Sequence, residues 1–317
     1  MTPTIHFMTY CKQEYSLQGN ITTLHTLRKG FPGNRVVLTD NASYPGAREI
    51  FKRMCQENDF EYRQLDIEIA HSTFLYQTIK QACGPIVILD PDVIFWDSCE
   101  GFINKLSPGI LLKGRHIPNF RIVTGPSRVV LFAERIHTSF MVIPDPVALQ
   151  EIILSWAKRK VYLFDFRPGH DTGSLLFSKA KEKILPFTAD ELDCYDHVFV
   201  GTQTAEQLSS PCARIILEEF KEIYSIIKHA KNADDYSEIK GAWRVQEEFF
   251  KSNTFEFPEY PLLYNNAGFD MFCSSRGSSA PDLWADVEIE QEPLNMQMLI
   301  QQSIYEEAYK RMWLNRE

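Results

Sequence analysis

Nowhere in the 317 residues does an uninterrupted apolar run approach the ~18 needed for a helix to cross a bilayer, so no transmembrane segment is expected. Positive charge is in deficit: 33 Lys and Arg stand against 42 Asp and Glu, a formal net charge of −9. Broad, sequence-independent nucleic-acid binding needs Lys and Arg massed against phosphates, so that partner class is excluded, while a local basic pocket is not. The seven cysteines, at positions 11, 55, 83, 99, 194, 212 and 273, are odd in number, and no two are spaced as Cys-x-x-Cys. This argues against a disulfide framework or a zinc ribbon and for reduced thiols in a cytoplasmic protein. The opening Met-Thr-Pro-Thr-Ile-His-Phe-Met lacks a basic stretch and an apolar core, so no signal peptide is expected. Internal repeats and long low-complexity segments are also missing.

What is present is ordinary for a globular chain: 44% hydrophobic and 24% charged residues, with length enough for a sizeable core. Segments 4–10, 35–39, 60–65 and 86–89 read as strands, and 15–29, 46–58 and 72–83 as the helices between them. This alternation predicts an α/β fold with a mainly parallel sheet. Residues 86–89 are apolar throughout, as in a central strand buried on both faces. Further on, 110–113, 122–132 and 161–164 read as extended, 138–143 as a strand and 147–158 as a helix. Past residue 204 the pattern changes. Segments 212–231 and 236–251 look helical, 255–261 is an aromatic loop, 273–281 a mobile loop, and 293–315 a closing amphipathic helix. The expected division is an α/β domain over 1–205 and a mostly helical extension over 206–317.

Sheets of this kind bind ligands beyond the carboxyl ends of their strands. There the sequence places Asp90-Pro91-Asp92, directly after the apolar run 86–89. In an extended backbone residues i and i+2 point the same way, and Pro91 biases Asp90 toward that conformation, so both carboxylates would face one pocket. Two hard oxygen ligands suit Mg²⁺ or Mn²⁺, completed by water and substrate phosphates. The structural alternative is a polar turn. A second cluster, Asp40-Asn41-Ala42-Ser43, ends the 35–39 strand; there Asp40 could bond a base or ribose, or simply shape the turn.

The order of these motifs, with Val36-Val-Leu-Thr-Asp40-Asn41-Ala-Ser, then His71-Ser72 opening a helix, then Val87-Ile-Leu-Asp90-Pro-Asp92-Val, resembles the GT-A fold glycosyltransferases. The likeness spans about residues 4–202 and is best at 36–43 and 71–96. It implies a GT-A-like Rossmann-type sheet and transfer of a sugar, of hexosyl type, from a nucleotide-diphosphate donor to a carbohydrate or other hydroxyl acceptor. It further implies that Thr9, Tyr10, Asp40 and Asn41 line the nucleotide pocket, that Asp90 meets ribose or metal, and that Asp92 is the main ligand of Mn²⁺ or Mg²⁺. His197 would complete the metal site, with Asp196 as an alternative ligand or supporting partner, and His137 would contact the acceptor. His71, at its helix start, would meet a donor phosphate.

Asp171, in Gly169-His170-Asp171-Thr172-Gly173, is the candidate base or acceptor ligand, with His170 beside it; a helix cap is its structural alternative. Asp-Thr-Gly also spells an aspartic-protease motif. Those enzymes need two such aspartates sharing a proton, and the chain has one. The expected function is therefore a metal-dependent glycosyltransferase. The alternatives are a sugar-1-phosphate nucleotidyltransferase, against which residues 9–15 show no glycine, and a non-catalytic nucleotide-sugar-binding protein. Assembly into homo-oligomers stays open.

Overall fold

The computed structural model describes residues 2–11, 17–104, 108–117, 120–123, 129–132, 134–159, 163–164, 173–197, 227, 230 and 233–252. Residues 168–172, most of 212–231 and everything after 252 lie outside them, and with these go the expectations for 255–261, 273–281 and 293–315.

Hydrophobic alternation sets the architecture. Strands β1 (Thr4–Thr9), β2 (Val36–Asn41), β3 (Glu61–Leu65) and β4 (Ile86–Leu89) pair in parallel, joined by helices α1 (Leu17–Gly30), α2 (Pro45–Asn58) and α3 (His71–Gln81). Strands β5 (Val93–Phe95), β6 (Leu112–Ile117), β7 (Phe120–Val123), β8 (Val129–Phe132) and β9 (Arg135–Ile143) follow, with the short helix α4 (Glu100–Ile103) after β5. Then come α5 (Pro146–Ala157), α6 (Ser174–Ala180), β10 (Ile184–Pro186), α7 (Ala189–Asp193), β11 (Tyr195–His197) and α8 (Ala233–Ser252). The main sheet has the order β10-β6-β9-β4-β1-β2-β3, and β9 alone runs antiparallel to its neighbours. The fold is thus α/β with a mainly parallel sheet.

The apolar run of β4 is buried at every position. Ile86 and Ile88 join a core with α3, α5 and α6, whereas Val87 and Leu89 join a second core with α1 and α2. Period-two alternation thereby places helices on both faces. Of the segment 161–164, expected to be extended, residues 161–162 lie outside the described residues, while Leu163 and Phe164 form a turn in which Phe164 N donates to the Tyr76 hydroxyl. Among the described residues Cys11, Cys55, Cys83, Cys99 and Cys194 are free thiols, and no helix is long and apolar enough to cross a membrane.

Two irregularities shape the edge where β1, β2 and β4 end. Strand β5 stands off the main sheet. Its Val93 and Phe95 amides donate to the buried hydroxyls of Thr23 and Thr26 on α1, both at 3.1 Å, and its other edge pairs antiparallel with β11. The second is a bulge between β6 and β9. Gly114 faces Met141 and His116 faces Ile136, so on β9 residues 137–140 stand opposite Arg115 alone. A Cβ on Gly114 would lie 2.5 Å from Ile136 Cγ2 and 2.9 Å from the Phe140 carbonyl, so only glycine allows the two backbones this approach.

Candidate active site

The carboxyl ends of β1, β2 and β4 open on one edge of the sheet. Backbone pairing with β9 continues one residue past β4, through a 3.0 Å bond from Asp90 N to the Ser139 carbonyl, and the chain then turns at Pro91-Asp92. The expected extended run through Asp90-Pro91-Asp92 is therefore corrected to a turn. Both carboxylates still act on the same imidazole, because β11 returns beside β5. The pairing of His197 with Val93 sets that ring next to Asp92, with Nε2 3.2 Å from Oδ1, and Asp90 also attracts its charge. Burial disfavours the imidazolium of His197, but the Asp92 carboxylate outweighs it and raises the pKa.

Asp90 has its own partner. His71, the first residue of α3, holds Nε2 3.0 Å from Asp90 Oδ1, and the Thr138 hydroxyl lies 3.5 Å from Oδ2. Burial opposes the Asp90 charge, yet the His71 and His197 charges prevail and keep this carboxyl below its usual range. His137 completes the cluster, its ring centroid 4.7 Å from that of His197. The backbone N–H of Ser139 donates to His137 Nδ1 at 3.1 Å, so the neutral ring carries its proton on Nε2. Burial first, then the charge of His197, pushes His137 well below its ordinary value. The bulge on β9 carries His137, Thr138 and Ser139 to this cluster.

The nucleotide-side candidates are more deeply tied. Asp40 is fully buried; its carboxylate accepts from Ser43 N at 3.0 Å and from the Tyr62 hydroxyl at 2.7 Å, with Arg48 Nε 3.6 Å away. A base contact from Asp40 would have to replace these bonds. Asn41 clamps Ile69 in both directions at 2.8 Å, holding the segment that leads into His71. Thr9 is buried, with its hydroxyl 3.5 Å from the Thr39 carbonyl, and the Tyr10 hydroxyl donates to Glu68 at 2.8 Å. Asp196 points away from the cluster: its Oδ2 accepts from Trp96 Nε1 at 2.6 Å and from Arg244 Nε at 3.1 Å. His170 and Asp171 lie outside the described residues. Helix α6 is capped by Gly173, at φ 88°, so the cap considered for Asp171 is taken by another residue.

Sequence reading missed Arg115, Thr138, Ser139 and the Thr23 and Thr26 struts. Arg115 sits in the bulge, and its positive charge bears on His137, His197 and Tyr195. Nothing local marks it, because its position depends on the β6–β9 register.

Among the described residues no three His, Cys, Asp or Glu side chains converge as a finished metal cluster. The oxygen and nitrogen donors are present in kind and are engaged in Asp–His pairs.

No family model matches the chain, and no curated protein does. Solved structures do. The glycosyltransferase GlyE of Streptococcus pneumoniae is 12% identical over 78% of this chain and 64% of its own length, with a TM-score of 0.43. Mouse xyloside xylosyltransferase 1 is 15% identical over 59% of this chain and 85% of its own, with a TM-score of 0.37. The 4-diphosphocytidyl-2C-methyl-D-erythritol synthase of Anaerococcus prevotii is 14% identical over 59% and 86%, with a TM-score of 0.39. The chain thus spans under two thirds of GlyE.

Proposed function

We propose that this chain transfers a hexosyl group from a nucleotide-diphosphate donor to a hydroxyl acceptor, assisted by Mn²⁺ or Mg²⁺. The supporting observation is that two Asp–His pairs, Asp90 with His71 and Asp92 with His197, the latter flanked by His137, stand on separate elements at one sheet edge. Two carboxylates and an imidazole are a donor set that these ions accept, so Asp90, Asp92 and His197 would hold the ion. When bound, it neutralises charge growing on the departing diphosphate.

The chain's own residues do the remaining work. His71 orients Asp90, and the first amides of α3 face a donor phosphate. Thr9, Tyr10, Asp40 and Asn41 border the nucleotide end. His137, with Nδ1 already occupied, offers its Nε2–H to an acceptor oxygen. Asp171, with His170 beside it, takes the acceptor proton. The acceptor oxygen then bonds the anomeric carbon, and the bond from that carbon to phosphate oxygen breaks, its electron pair leaving with the diphosphate.

Sugar transfer or donor hydrolysis, followed across a panel of nucleotide sugars with and without Mn²⁺, tests this. Asp92→Asn should lower the Mn²⁺-stimulated rate by at least ~100-fold. An Asp92→Asn protein with full activity and no added metal contradicts the reading. Pyrophosphate release from a nucleoside triphosphate and a sugar phosphate would favour nucleotidyl transfer instead.

A further inference from the structure

We propose that Arg244, on α8, is a positioning residue for His197, and that α8 thereby serves as the latch of the candidate site's edge. The proposal rests on the functional reading above for the role of His197, and on independent geometry for the latch itself.

Strand β11 is three residues long, and its ladder to β5 joins Tyr195, Asp196 and His197 to Phe95, Ile94 and Val93. So short a ladder needs help from side chains to stay in place. Alternation turns Tyr195 and His197 to one face and Asp196 to the other. On that other face a single carboxylate oxygen, Asp196 Oδ2, receives Trp96 Nε1 at 2.6 Å and Arg244 Nε at 3.1 Å. The same guanidinium also donates to the Asp193 carboxylate and lies 3.4 Å from the Asp193 carbonyl. Arg244 therefore joins the end of α7 to the middle of β11, and Trp96 ties both to the strand that follows Asp92. The planar fork of arginine suits it to bridge two carboxylates; lysine would hold one. Helix α8 is itself docked at other points. Lys240 pairs with Asp193 at 2.6 Å, Lys29 of α1 lies 4.3 Å from the centre of the Tyr236 ring, and Ile239 is buried.

The experiment compares the full chain with Arg244→Met, Arg244→Lys and Lys240→Met. Three quantities are read: amide hydrogen exchange at Tyr195–His197 with β1 as internal reference, the imidazole NMR signals of His197, and affinity for Mn²⁺ alone. Arg244→Met should accelerate exchange in β11 by ~10-fold or more while β1 stays protected, shift the His197 signals, and weaken Mn²⁺ binding by about 10-fold. Arg244→Lys should fall between, and Lys240→Met should stay near wild type. Wild-type exchange and His197 signals in Arg244→Met overturn the latch. So does an equal effect in Lys240→Met, or acceleration in β1 to the same degree. If the wild-type chain does not bind Mn²⁺, the metal reading fails, and the latch is decided by exchange and the His197 signals.

Discussion

His6 on β1 shows how burial and neighbouring charge act on one residue. Burial, then the charges of Arg63 and Arg35, lower its pKa from 6.5 to about 4. The folded state therefore holds a neutral ring where the unfolded chain would bind a proton. This contribution is complete above about pH 6.5 and is lost as pH falls from there through about 4. The loss reaches about 3 kcal/mol at its full extent. Urea unfolding at pH 7 and pH 4.5 should show a smaller loss of stability in His6→Gln than in wild type; equal losses would contradict this. At the edge where β1, β2 and β4 end, the same forces give different results. Burial pushes the pKa of His137 well below its ordinary value, whereas the carboxylate of Asp92 beside His197 overcomes burial there and raises it. Asp90 and Asp92 are legible as candidates because they follow an apolar strand, whereas His137 and His197 are candidates only through the family resemblance. Their partners were not legible. Asp40 reads as a ligand-binding carboxylate until Tyr62, 22 residues on, is seen to take one of its oxygens.

At the scale of elements, local pattern predicts the first four strands and three helices well. The helices are long enough to show their period, the four-residue apolar run of β4 marks a buried strand, and proline and glycine mark several of the boundaries. The features that build the cleft are nonlocal. Strand β5 continues a segment that reads as one motif, and only the Thr23 and Thr26 hydroxyls, about 70 residues earlier, show where it separates. Strand β11 is too short to display alternation. The β9 bulge exists only relative to β6, and Gly114 is its hinge. Gly114→Ala should destabilise the protein by about 2–3 kcal/mol, because the new methyl meets both a side chain and a backbone carbonyl. It should also disturb the His137 NMR signals, since residue 137 lies within the displaced segment. Unchanged stability and unchanged His137 signals would show that the bulge tolerates a side chain.

For the whole molecule, the mainly parallel sheet brings the ends of β1, β2 and β4 to one edge, β9 crosses against them, and β11 folds back to that edge from beyond α7. Two aspartates and three histidines drawn from α3, the β4–β5 turn, β9 and β11 then stand at that edge as the pairs His71–Asp90 and His197–Asp92, with His137 beside His197 and Arg115 adding positive charge. Under the proposed function this edge takes a nucleoside diphosphate together with a divalent cation. The most direct test is thermal unfolding against nucleoside diphosphates and nucleotide sugars, with and without Mn²⁺, in wild type and Asp92→Asn. A ligand that binds only the native state raises Tm. The account predicts that at least one diphosphate raises the wild-type Tm in a Mn²⁺-dependent manner and that Asp92→Asn loses the response. No shift with any of them at millimolar concentration, or an equal shift in Asp92→Asn, would contradict it.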